Sequence, residues 1–113
     1  YRRLWDSIER FGEEYGRDTS GITKAVHLYF CISETRERAR DIARETLTRR
    51  YGREPEFLDD AGMAIGTAQD CIETIESYMK AGVSHFILNT ARPLAEVKRD
   101  IEKFAEEVMP HFR

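Results

Sequence analysis

The stretch Gly66–Leu88, GTAQDCIETIESYMKAGVSHFIL, constrains the fold of this chain more than any other. Thr67 stands where a helix N-cap belongs. Asp70, three residues on, sits where a carboxylate reaches back to the cap and meets the positive end of the helix. Cys71, Ile72, Ile75, Tyr78 and Met79 then recur on one helical face. Ala81-Gly82 ends the helix, and Val83 to Asn89 follows as an apolar run of strand length. A capped helix feeding directly into a buried strand is one step of a parallel α/β fold.

The rest of the chain repeats that logic. Leu4, Ile8, Phe11 and Tyr15 recur at helical spacing before Gly16, and residues 17–21 read as a turn. Ile22 to Ser33, ITKAVHLYFCIS, is apolar on both alternating faces, as in a strand covered by helices on either side. Ser33 is a plausible cap for a helix that points Ala39, Ile42, Ala43 and Leu47 inward and ends near Tyr51-Gly52. Residues 53–66 read as the longest irregular connection. Pro93 opens a last helix carrying Leu94, Val97, Ile101, Phe104, Ala105 and Val108 on one face, and Pro110 stops it.

The expected class is therefore α/β, with two parallel strands and surrounding helices in a single segment, residues 1–113. Two strands alone do not make a stable parallel sheet. Further strands are expected from sequence beyond these residues or from other copies of the chain, so a homo-oligomer is expected. The first residue is Tyr1 rather than a methionine, so it is not expected to mark the start of translation.

Composition narrows the function classes. Apolar residues make up 41% and charged residues 35%, a globular balance. The net charge of −3 is spread over interleaved acids and bases, which argues against a nucleic-acid partner. The charge-rich run Glu34 to Arg50 has that mixed pattern and reads as a solvated helix face. No apolar run approaches the roughly 20 residues of a membrane span. Cys31 and Cys71 lack any metal-ligand spacing and read as small buried hydrophobes of a reducing, cytoplasmic compartment. No metal site and no phosphate-cradling glycine motif is present.

From Ile65 onward the chain resembles the C-terminal end of the bacterial luciferase-like monooxygenase family. The residues that carry the resemblance are Gly66-Thr67-Ala68-Gln69, Tyr78 with Ala81-Gly82-Val83, Phe86-Ile87-Leu88, and Phe104 to Pro110. Upstream, Glu14 to Asp18 resembles the segment before that family's seventh strand. Ala68 departs from the family's usual proline, and either residue suits a first helical turn. The resemblance implies the C-terminal portion of a (β/α)8 TIM barrel. Such a barrel takes about 250 residues or more, so this portion is incomplete by itself. It also implies an oxidoreductase or monooxygenase that uses FMN or coenzyme F420 on a small organic substrate. Most of the catalytic apparatus would lie outside these residues, leaving the isolated chain inactive.

In such a barrel chemistry lies where strands end and loops begin. The candidates there are Ser33 after the first strand, and Asn89, Thr90 and Arg92 after the second. Arg92 suits an anionic group, and Asn89 and Thr90 suit hydrogen bonding to a ligand. The connection Asp59 to Thr67 is expected to rise to the same face. His27, in mid-strand, is a further candidate because histidine titrates readily within a site. Each has a plainer reading: loop and cap duty for the first four, packing for His27. The non-enzymatic alternative is a short α/β chain that self-associates across its open sheet edges.

Overall fold

The computed structural model describes residues 2–54 and 63–112. They form α1 (Arg2–Glu14), β1 (Ala25–Ile32), α2 (Arg36–Tyr51), β2 (Met63–Gly66), α3 (Ala68–Lys80), β3 (His85–Thr90) and α4 (Val97–Glu107). Short 3-10 turns occupy Leu94–Glu96 and Met109–Phe112. The three strands make one parallel sheet in the order β2-β1-β3.

β1 is central, which is why it is apolar on both sides. Leu28, Phe30 and Ile32 pack against Ala64 of β2, Cys71, Ile72 and Ile75 of α3, and Phe104 and Val108. Tyr29 and Cys31 face the other way, onto Ala39, Ala43 and Leu47 of α2, with Met63, Ile65 and Ala91. Helices α3 and α4 thus cover one face and α2 the other. The strand is buried on both faces where it lies between them, and burial loosens toward Ala25.

The expected pair of strands is corrected to three. Met63–Gly66, read as the end of an irregular connection, is a strand, and all four of its residues are buried. A run so short has no room to display a period, and the small Ala64 and Gly66 do not advertise β structure. Residues 59–62 of the connection expected to rise toward the strand ends lie outside the described residues.

β1 and β3 are parallel neighbours, in register from Ala25 opposite His85 to Phe30 opposite Thr90. Neighbouring strands of a barrel are likewise parallel. β2, however, falls between them in sequence yet lies on the far side of β1, so the connection through α3 crosses the central strand. With helices on both faces, this portion has the local layering of an open α/β sheet. β2 and β3 each carry one unpaired edge among the described residues.

Two other expectations shift. The N-cap of α2 is Thr35, whose side chain accepts from the Arg38 backbone N–H at 3.1 Å. Ser33 is instead tied to the sheet, its N–H donating to the Gly66 carbonyl at 2.9 Å. The last helix turns Asp100, Phe104 and Val108 inward, while Leu94 is 89% exposed and Ile101 is half exposed. The apolar Leu4, Ile8 and Phe11 of α1 are exposed, as is Tyr15 just after it. Helix α1 is held through Gly12, where an added Cβ would lie 2.7 Å from the Thr19 methyl.

Both cysteines are fully buried and free. Burial pushes each thiol up to about 12, and Cys71 also donates to the Ala64 carbonyl at 3.3 Å. The reactive species is the thiolate. Iodoacetamide at about pH 8 is therefore expected to leave both cysteines untouched in the native chain and to alkylate both in denaturant. Mass spectrometry reads this directly, and a native adduct at either position would show that the core opens there.

Candidate functional site

The C-terminal ends of β1 and β3 converge with the start of α2 and the first turns of α4. At their centre is Asp100, only 2% exposed. Its Oδ2 accepts from the Thr90 hydroxyl at 2.7 Å, and its Oδ1 accepts from Arg92 Nε at 3.0 Å. The Ile32 backbone N–H also approaches Oδ1, at 3.4 Å. Arg92 is itself largely enclosed and donates through Nη2 to the Ile32 carbonyl. Its Nη1 lies 3.5 Å from Glu96 Oε1. One carboxylate and one guanidinium thereby join the ends of two parallel strands to α4.

Of the five sequence-stated candidates, two enter this network. Arg92 and Thr90 stand at the expected strand end, yet the groups meant for a ligand are engaged by Asp100. Ser33 is half-buried and lines an adjoining cleft of about 440 Å³ between α2 and α4. Asn89 and His27 are exposed and lie elsewhere, on the sheet face that α2 only partly covers. There Asn89 pairs in register with Tyr29 and His27 with Ile87, while the His27 ring meets Tyr29 edge-on at 5.1 Å. Tyr29 shares a hydrogen bond with the Tyr51 hydroxyl, which with burial raises its pKa. The structure thus separates the candidates into a strand-end cluster and an open face.

Asp100 was not among those candidates, though the sequence carries a signal for it. It stands four residues before Phe104 and eight before Val108, on the helix row that faces the core. An acid in that row requires a buried partner. Arg92, eight residues upstream across Pro93, supplies it.

The cleft beside this network has a distinct charge. Arg38 from α2 and Arg99 and Lys103 from α4 line it, together with Ser33, Thr35 and the tied Arg92. Its acids are Glu34, Glu96 and Asp100, the last two being the partners of Arg92. No helix of the described residues is long and apolar enough to cross a membrane.

No protein-family model matches the chain, and no curated protein matches it significantly. Among solved structures it is similar to an F420-dependent secondary alcohol dehydrogenase in complex with an F420-acetone adduct. The TM-score is 0.66 at 20% sequence identity, over 93% of this chain and 37% of that one. The likeness shows a shared fold, and the chain spans little more than a third of that enzyme's length.

Proposed function

We propose that these residues form part of a luciferase-like (β/α)8 oxidoreductase that uses an F420-type deazaflavin on a small organic substrate. The observation that carries this reading is the fold likeness, which extends over 93% of the chain and so includes more than a single βα step. β1 and β3 are adjacent and parallel, as neighbouring barrel strands are, with β2 between them in sequence but beyond β1 in the sheet. The likeness lends no support to FMN, the other cofactor that the family resemblance implied.

The residues present fit a supporting share of such a site. The open sheet face sets the half-exposed Ile87 beside Asn89 and His27, an apolar floor with polar groups on which a flat ring can lie. Asn89 supplies an amide for hydrogen bonding there, and Ser33 supplies a hydroxyl at the strand end. Arg92 and Thr90 act one step back, holding the strand ends through Asp100. When bound, a deazaflavin supplies hydride transfer, while the protein orients it and excludes water. The remaining walls would come from residues beyond these.

A second reading rests on exposed surface. Leu4 and Phe11 of α1, Tyr15 just after it and Ile87 of β3 are exposed, and both sheet edges are unpaired among the described residues. In a complete barrel other strands would cover such surfaces; alone, the chain would cover them by self-association.

The native protein separates the two. Isolated from its source, it is expected to weigh well over twice the 13.2 kDa of these residues and to bind F420 in a fluorescence titration. The 113 residues expressed alone are expected to bind F420 weakly or not at all and to associate in light scattering. A native mass of 13.2 kDa without F420 binding would leave self-association as the function.

A further inference from the structure

The cleft between α2 and α4 has a use that the oxidoreductase reading does not assign. We propose that it binds a phosphate group carried by a small molecule, held by Arg38, Arg99 and Lys103. These three cations come from opposing walls, Arg38 from α2 and the other two from one face of α4. Arg99 and Lys103 are four residues apart and so adjacent on that face. Like charges facing one space repel unless an anion lies between them.

Some cations elsewhere are answered by ion pairs: Arg36 meets Asp70, Arg44 meets Glu54, Arg49 meets Glu45 and Lys98 meets Glu102. Among the described residues, Arg38, Arg99 and Lys103 have no ion-pair partner, although the chain carries 21 acids against 18 bases. The acids lining the cleft do not supply one. Asp100 and Glu96 are bound to Arg92 at 3.0 and 3.5 Å, and Glu34 is exposed and makes no ion pair with the three cations. The tied Arg92–Asp100 pair makes a rigid floor, and the hydroxyls of Ser33 and Thr35 add neutral donors along the rim.

Phosphate fits this arrangement better than carboxylate. A planar carboxylate is satisfied by one forked guanidinium, whereas a tetrahedral phosphate takes charged donors from several directions. The volume of about 440 Å³ holds more than one phosphate and falls within the range of small-molecule sites. The three cations all belong to the described residues. The inference therefore stands apart from the F420 reading, and its test uses no cofactor.

The test is calorimetric titration of the 113-residue chain with inorganic pyrophosphate, with citrate as the carboxylate comparator. Pyrophosphate is expected to bind more tightly than citrate, and more weakly as salt rises. Arg99→Gln with Lys103→Gln is expected to weaken it by about a hundredfold, since each contact to a charged group is worth about 1.5 kcal/mol or more, roughly tenfold. Arg38→Gln, on the opposite wall, should weaken it independently while leaving thermal unfolding unchanged. Lys98→Gln, one residue away but paired with Glu102, should not affect it. Absence of pyrophosphate binding, citrate binding as tight, or equal weakening by Lys98→Gln would each overturn the assignment.

Discussion

Replacing Asp100 with alanine is expected to lower the stability of the fold by about 3–5 kcal/mol, the range for removing one partner of a buried ion pair. The substitution leaves the Arg92 guanidinium enclosed without its carboxylate, and it leaves the Thr90 hydroxyl without its acceptor at 2.7 Å. A small domain has about 5–15 kcal/mol in all, so the loss is a large part of the total. Urea unfolding followed by circular dichroism measures it as a fall in the midpoint. Asp100→Asn keeps an acceptor for Thr90 and should lose less. Arg92→Leu should also be costly, because it strands a fully enclosed carboxylate. The double variant Asp100→Leu/Arg92→Leu should lose clearly less than the two singles added together, since no charge is left unpaired. A loss below about 1 kcal/mol for Asp100→Ala would mean that the pair does not hold the strand ends.

That network also marks the boundary of what the sequence makes legible. Helix α3 was readable to its caps because Thr67, Asp70 and the glycine after Ala81 are local signals, each acting within a few residues. β1 and β3 were readable because their apolar runs exceed the length at which a period shows. β2 was not, since its four residues become a strand only through the neighbour they pair with. Strand order was unreadable for the same reason: nothing local says that β2 lies beyond β1 rather than between β1 and β3. Arg92 was placed at the right end of the right strand, but its partner lies on the following helix, so its engagement appears only in three dimensions. The cations Arg38 and Lys103 are 65 residues apart in sequence and meet only when α2 and α4 frame one cleft.

Gly66→Ala is the second substitution expected to cost heavily, by about 2–4 kcal/mol, for two separable reasons. Gly66 has φ +130°, a conformation that side chains rarely adopt. A Cβ there would also stand 2.4 Å from Asp70 Oδ2 and 2.7 Å from its Cβ, so Asp70 must move. Asp70 Oδ2 accepts from the Thr67 N–H at 2.9 Å, and Thr67 Oγ1 accepts from the Asp70 N–H at 3.2 Å. The substitution therefore strains the end of β2 and opens the capping box of α3 together. Acidity tells the two apart. The Thr67 backbone N–H is the leading cause holding the Asp70 carboxyl below its usual range, although partial burial opposes it. A lowered folded pKa gives stability that is present above the unfolded carboxylate range, about 3.9, and is lost as pH falls through the folded value. The wild-type chain should lose that contribution in acid and Gly66→Ala should not, so the gap between them should narrow as pH falls. Backbone strain does not titrate, and a residual gap should persist at the lowest pH at which the chain is still folded. Unfolding midpoints of both chains, taken from neutral pH downward, measure this. A gap constant with pH would assign the whole cost to φ, and no gap at neutral pH would mean that the β2–α3 junction tolerates a side chain at residue 66.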